Sequence, residues 1–218
     1  ESGLDSITLS LDTLDENKIS SINGTKKNIS FTPILENIEK YFNKIKTNTV
    51  VIKGINDNEV IDFVNLLAKF HAEIRFIEYM DVGESNKWDL DKVVSSASLR
   101  EKISKHYNLV PIQTDCSSTA KKWSIKNTKS SIGFISSITE PFCADCNRAR
   151  LSVDGKLFTC LFASDGFDIK SLIRSDDYEK KLLDFFKDVW TERSDQYSQI
   201  RFISKKEVPK VEMSYIGG

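Results

Sequence analysis

The chain has 218 residues, 39% of them hydrophobic and 29% charged, enough for one large domain or two small ones with a sizeable core. Its net charge of -1 argues against nucleic acid or an anionic membrane as partner, so any anionic ligand must rest on a few placed cations. No run of about 18 apolar residues and no signal-peptide pattern is present, and no membrane association is expected.

The chain opens on Glu1 and reaches a strand-like run within a few residues, as a chain cut at its N-terminus would. Ile7-Thr8-Leu9-Ser10-Leu11 alternates apolar and polar residues, the period of a strand. Thr32-Pro33 predicts a helix start, followed by Ile34, Leu35, Ile38, Tyr41 and Phe42 at helical spacing. Thr49 to Ile52 predicts a second strand. Asn56 or Asp57 is placed to cap the next helix, whose apolar stripe is Val60, Ile61, Val64 and Leu67. Ile74 to Tyr79 predicts a third strand. Strand, helix, strand, helix, strand is the pattern of parallel βα units, which place ligands at the C-terminal ends of their strands. Ser10-Leu11-Asp12 and Met80 fall at such ends.

From about Ser98 the pattern changes. A helix is expected near Leu99 to Tyr107, then short strands at Trp123 to Ile125, Gly133 to Ser137, Ala149 to Val153 and Leu157 to Leu161. Asp154-Gly155 predicts a two-residue hairpin turn between the last two. An amphipathic helix follows, with Leu182, Leu183, Phe186 and Val189 on its apolar side. The fold expected is α/β over residues 1–97, three parallel βα strands that make only part of a layer, followed by an α+β domain over residues 98–218.

Cys143-Ala144-Asp145-Cys146 is a CxxC pair, and Cys160 follows after the predicted turn. A regular two-residue hairpin sets Cys160 opposite Ala149, so the three thiols are expected to converge on a metal. Thiolates suit zinc or an iron–sulfur cluster. Spacing leaves two alternatives open: a zinc site completed by Cys116, and a cluster with one open iron. Arg148 and Arg150 are two apart, so in a strand both guanidiniums share a face, where each fork can hold phosphate oxygens.

The run from Gly133 to Ser137, Pro141-Phe142-Cys143-Ala144-Asp145-Cys146-Asn147-Arg148-Ala149-Arg150-Leu151, Asp154-Gly155-Lys156-Leu157, Cys160-Leu161-Phe162 and the terminus Met213-Ser214-Tyr215-Ile216-Gly217-Gly218 resemble the GTP 3',8-cyclase family. Ser10-Leu11-Asp12, Lys46 to Val51, Lys53-Gly54-Ile55-Asn56-Asp57 and Arg75 to Met80 match it in the same order.

The resemblance implies a radical enzyme of molybdenum-cofactor synthesis. It converts GTP to 3',8-cyclo-7,8-dihydro-GTP with a radical drawn from S-adenosylmethionine. It implies the C-terminal half of an incomplete parallel βα barrel followed by an α+β cluster-binding domain. Cys143, Cys146 and Cys160 would ligate a 4Fe-4S cluster; Lys46, Arg148, Ala149 and Arg150 would bind GTP; Ser10 and Met80 would line the S-adenosylmethionine pocket. Arg75 would face the active site without a firm role, and Gly217 and Gly218 would form a flexible catalytic tail. The complete enzyme would carry a second 4Fe-4S cluster on a CxxxCxxC loop, which this sequence lacks, so the chain alone is expected to be inactive. A homodimer in the cytoplasm, or in the mitochondrion of a eukaryote, is expected. The rival reading is a non-catalytic metal- and nucleotide-binding module or degenerate paralogue.

Overall fold

The computed structural model describes residues 3–23, 30–200 and 210–216. They divide into two compact units, one formed by Glu1–Met80 with Leu90–Glu140, the other by Asp81–Asp89 with Pro141–Gly218.

The first unit is built on a six-stranded mixed sheet. Its strands are β1 (Ile7–Ser10), β2 (Ile45–Val51), β3 (Glu73–Glu78), β4 (Leu109–Ile112), β5 (Lys121–Ile125) and β6 (Ser131–Ile135). Their order across the sheet is β1-β2-β3-β6-β5-β4. The pairs β1–β2, β2–β3 and β3–β6 are parallel, and β5 and β4 continue antiparallel. The division expected at residues 97 and 98 therefore falls inside this unit, because β6 pairs directly with β3 and carries the later strands into the same sheet. The described sheet is open, with β1 and β4 at its edges. It is an α/β arrangement whose parallel half is consistent with a piece of a barrel.

Alternation decides which face of the sheet is covered. Ile45, Val51, Ile74, Phe76, Ile132 and Phe134 are buried on one face. Against them pack the helices α2 (Thr32–Tyr41), α3 (Val60–Leu67) and α4 (Ser96–Ser104), while α1 (Glu16–Asn23) buries Ile19. The three packed helices bury Leu35 and Ile38, then Val60, Phe63, Val64 and Leu67, then Leu99 and Ile103. Pro33 lies in the first turn of α2, where its missing N–H has no intrahelical partner to lose. Ser95 caps α4, its side chain accepting from Ser98 N–H at 3.2 Å.

The expected cap of α3 is corrected. Neither Asn56 nor Asp57 caps it, and its first flanking residue is Glu59. The Asn56 carboxamide instead ties strand ends together: it accepts from Ile52 N–H at 2.7 Å and donates to the carbonyls of Asp12 and Val50 at 2.6 and 2.8 Å.

The second unit holds a three-stranded antiparallel sheet of β7 (Arg150–Leu151), β8 (Lys156–Phe158) and β9 (Phe167–Asp168). With it are α5 (Lys170–Ile173), α6 (Tyr178–Thr191) and α7 (Tyr197–Ile200). The β7–β8 hairpin corrects the predicted turn. Ser152 and Lys156 close it, with Ser152 N–H donating to Lys156 O at 2.9 Å, so three residues form the loop. Val153 is fully exposed there, and Gly155 takes φ +85°. The left-handed third position of such a loop favours glycine. The added loop residue shifts the pairing: Arg150 faces Phe158, so Ala149 is level with Thr159 and not with Cys160. On α6, Phe185 packs edge-on against Phe167, while Leu183 and Phe186 are exposed.

Candidate nucleotide site

In the first unit, two rows of the sheet face away from the helices are polar, and a third holds Val50, Ile77 and Ile135. The parallel register sets Thr8, Lys46, Glu73 and Ser131 in one row, and Ser10, Asn48, Arg75 and Gly133 in the next. The expected Ser10 and Lys46, and Arg75, thus share one face; Met80 lies two residues past the end of β3. Glu73 organises the cations of this face. Its carboxylate accepts from Arg75 Nε at 2.6 Å and from Lys122 Nζ at 3.0 Å. Burial resists its ionisation, but the Lys122 and Arg75 hydrogen bonds and charges outweigh it and hold the group below the usual carboxylate range. Gly133 leaves room for Arg75: a methyl group there would sit 3.4 Å from Arg75 Cγ and 3.2 Å from Ala120 Cβ. Asn48 was not singled out from the sequence. Its Oδ1 is buried without a hydrogen-bond partner in the row between Ser10 and Arg75.

In the second unit, the CxxC loop runs into β7. Only Arg150 is within the strand; Arg148 lies ahead of it in the loop, exposed. The Arg148 guanidinium stacks over the Phe142 ring at 4.9 Å, and its Nη2 donates to Cys146 Sγ at 3.1 Å. Burial raises the cost of a Cys146 thiolate, but the Arg148 backbone N–H and the Arg193 and Arg148 guanidiniums overcome it and lower the pKa. Cys160 has the opposite environment: burial pushes its thiol up, Phe162 N–H opposes, and Asp195 and Cys143 add to the rise.

These surroundings bear on the expected metal. Among the described residues, no three His, Cys, Asp or Glu side chains come together to hold a metal ion. The expected 4Fe-4S cluster on Cys143, Cys146 and Cys160 is therefore corrected. The thiols find other partners: Cys146 faces a guanidinium, and Cys160 Sγ accepts from Phe162 N–H at 3.5 Å. The shifted hairpin register also removes the pairing that was to carry Cys160 beside Ala149. Cys116 is exposed and joins no group. The second 4Fe-4S cluster has no CxxxCxxC in this chain. Gly217 and Gly218 lie outside the described residues.

Behind the loop stands a residue that sequence reasoning missed. Arg193, with a side chain only 10% exposed, donates from Nη1 to Cys146 O and from Nη2 to Thr159 O, the latter at 2.6 Å. Its Nε contacts Asp195 Oδ2 at 3.3 Å, and its guanidinium lies over the Trp190 ring at 4.8 Å. Two residues after Asp195, Tyr197 stacks on Phe162 with centroids 4.8 Å apart. These partners are far apart in sequence, and no local period announces them.

Arg148 is exposed and has donors left beyond its thiol bond, and Arg150 follows at the start of β7.

Comparison with known proteins gives the lineage. The family model described as Molybdenum Cofactor Synthesis C matches residues 72–199. GTP 3',8-cyclases from Staphylococcus epidermidis and Staphylococcus aureus are each 39% identical over 226 aligned positions, covering 100% of this chain and 66% of theirs. The chain thus spans about two thirds of the length of the curated relatives it matches. A solved structure of TYW1 with a lysine-pyruvate adduct bound gives a TM-score of 0.37 at 22% identity, over 50% of this chain and 37% of that one, a likeness that carries no argument. The match over residues 72–199 includes the CxxC loop, both arginines and Arg193, and by it the chain belongs to the Molybdenum Cofactor Synthesis C family, with GTP 3',8-cyclases as its relatives.

Proposed function

We propose that this chain is the nucleotide-holding portion of a GTP 3',8-cyclase, in which Arg148, the Ala149 backbone and Arg150 bind the phosphates of GTP. The observation that carries this reading is the pair of guanidiniums at the head of β7, one of them stacked on Phe142 and exposed, within the region of the family match. Planar forks suit phosphate oxygens better than point charges do. In the same reading Lys46 contributes a further GTP contact from the polar rows of the first unit's sheet, with Arg75 on the same face. Ser10 and Met80 line the position of S-adenosylmethionine as co-substrate of the complete enzyme, and Gly217 and Gly218 serve as its tail. The complete enzyme forms 3',8-cyclo-7,8-dihydro-GTP; no step is assigned to a cluster on the three cysteines. What this chain's residues do is bind and orient the nucleotide.

The test is GTP binding by calorimetry to the full chain and to Arg148→Ala and Arg150→Ala. A charge-assisted hydrogen bond is worth roughly 1.5–3 kcal/mol, so each loss should weaken GTP about 10–150-fold. Arg→Lys should recover part of it, and guanosine should be nearly blind to either change. Equal weakening of guanosine and GTP would mean that the arginines serve the base or the fold instead.

A further inference from the structure

We propose that Arg193 is a positioning residue that holds the Arg148–Arg150 segment in place for the nucleotide, an inference that rests on the reading of those arginines as phosphate ligands. Arg193 does not reach the ligand; it fixes the backbone that carries the ligand's partners. Its Nη1 holds the carbonyl of Cys146, two residues ahead of Arg148. Its Nη2 holds the carbonyl of Thr159, next to Phe158, the register partner of Arg150. One planar guanidinium therefore pins both ends of the binding segment, the near end directly and the far end across the hairpin. The fork is itself fixed: it rests on Trp190 at the end of α6 and is held edgewise by Asp195.

The chemistry of the clamp is specific to arginine. Two carbonyls from separate stretches of chain need two N–H donors set apart in one plane, and an ammonium cannot present them while stacking on an indole. The clamp matters because Arg148 is otherwise lightly supported. It lies outside the strand, and its own side-chain partners, Phe142 and Cys146, belong to the same loop. If the Cys146 carbonyl is released, loop and guanidinium move together, and the phosphates meet a receptor that must be ordered on binding.

The experiment is a double-mutant cycle on the full chain, read as GTP affinity, with guanosine as control and circular dichroism to verify the fold. Arg193→Lys should weaken GTP about tenfold and guanosine less than about twofold, while in an Arg148→Ala, Arg150→Ala background it should cost less than about twofold, because residues acting through one another are not additive. Added guanidinium ion should restore GTP binding to Arg193→Ala. If Arg193→Lys binds GTP like the parent while Arg148→Ala does not, the clamp is wrong. A full additive loss in the doubly substituted background, or no rescue by guanidinium, would likewise reduce Arg193 to a packing role. If Arg148→Ala and Arg150→Ala themselves leave GTP affinity unchanged, the phosphate reading fails, and this inference fails with it.

Discussion

Two buried carboxylates carry more of the first unit than any motif suggested. Glu78, fully buried at the end of β3, accepts from the N–H groups of Ser96, Ile138 and Thr139 at 2.8–2.9 Å and from Thr139 Oγ1 at 2.6 Å. It stands where an anion is welcome, at the N-terminus of α4. Glu78→Ala strands the donors of the buried Ser96 and Ile138, each costing about 1–3 kcal/mol, so urea unfolding should show a loss of at least ~2 kcal/mol. Glu59 accepts from Thr13 Oγ1, Leu14 N–H and Lys18 Nζ, each at 2.8 Å. Burial resists its charge, but Lys18, Leu14 N–H and Thr13 prevail and lower its pKa. A carboxylate depressed in the folded state stabilises fully above its unfolded pKa and loses that contribution as pH falls through the folded one. Glu59→Gln should therefore cost about 1–2 kcal/mol at neutral pH, and the gap to the parent should close on acidification below the ordinary carboxylate range. Chemical denaturation at several pH values would reveal a constant gap if the charge were irrelevant. The sequence exposed Arg148 and Arg150 because they sit beside a CxxC pair. It could not expose Arg193, Glu78 or Glu59, whose partners lie tens of residues away.

Among the elements, periodicity served where an apolar face is buried and misled where it is not. β1, β2, β3, α2 and α3 follow their patterns because one face of each meets the core. β4 escaped because Pro111 interrupts it. The structure shows why that proline is tolerated: β4 is an edge strand, where a missing N–H breaks no ladder on the outer side. The β7–β8 loop was placed correctly, and its length was misjudged by one residue. Since side chains alternate, that single residue reverses which of them share a face across the hairpin, and it underlies the misplacement of Cys160. The loop makes its own prediction. At φ +85°, and with a Cβ that would lie 2.8 Å from Lys170 Cβ, Gly155→Ala should lower the thermal midpoint by several degrees, because about 1 kcal/mol or more is lost to strain. Val153→Lys, at a fully exposed neighbouring position, should leave it unchanged. Equal midpoints for the two variants would contradict the assigned loop geometry.

At the scale of the molecule, the second unit is assembled from two stretches of chain, and its last described residues are anchored in it. Glu212 accepts from the N–H groups of Glu84 and Ser85 at 2.9 and 3.1 Å, which lower its pKa. Lys210 pairs with Asp81 at 3.0 Å, Tyr215 donates to Asp154 Oδ2 at 2.6 Å, and Ile216 is 1% exposed. Ile216→Ala should cost about 2–5 kcal/mol, the usual range for a buried isoleucine cut to alanine; a scan of thermal unfolding would show whether the contact matters. The sequence drew attention to the terminus through its glycines but gave no sign that Ile216, just before them, is buried, since no repeating pattern marks so short a segment. One consequence concerns synthesis on the ribosome. The stretch Asp81–Asp89 is translated long before the partners that receive it, so it must wait, unpaired, while the rest of the first unit, through Glu140, is made and can fold around it. The second unit can close only when Lys210 to Ile216 have left the exit tunnel. A premature stop that removes Lys210 to Ile216 should therefore spare the six-stranded sheet and leave the CxxC loop's unit as the portion that proteases find first.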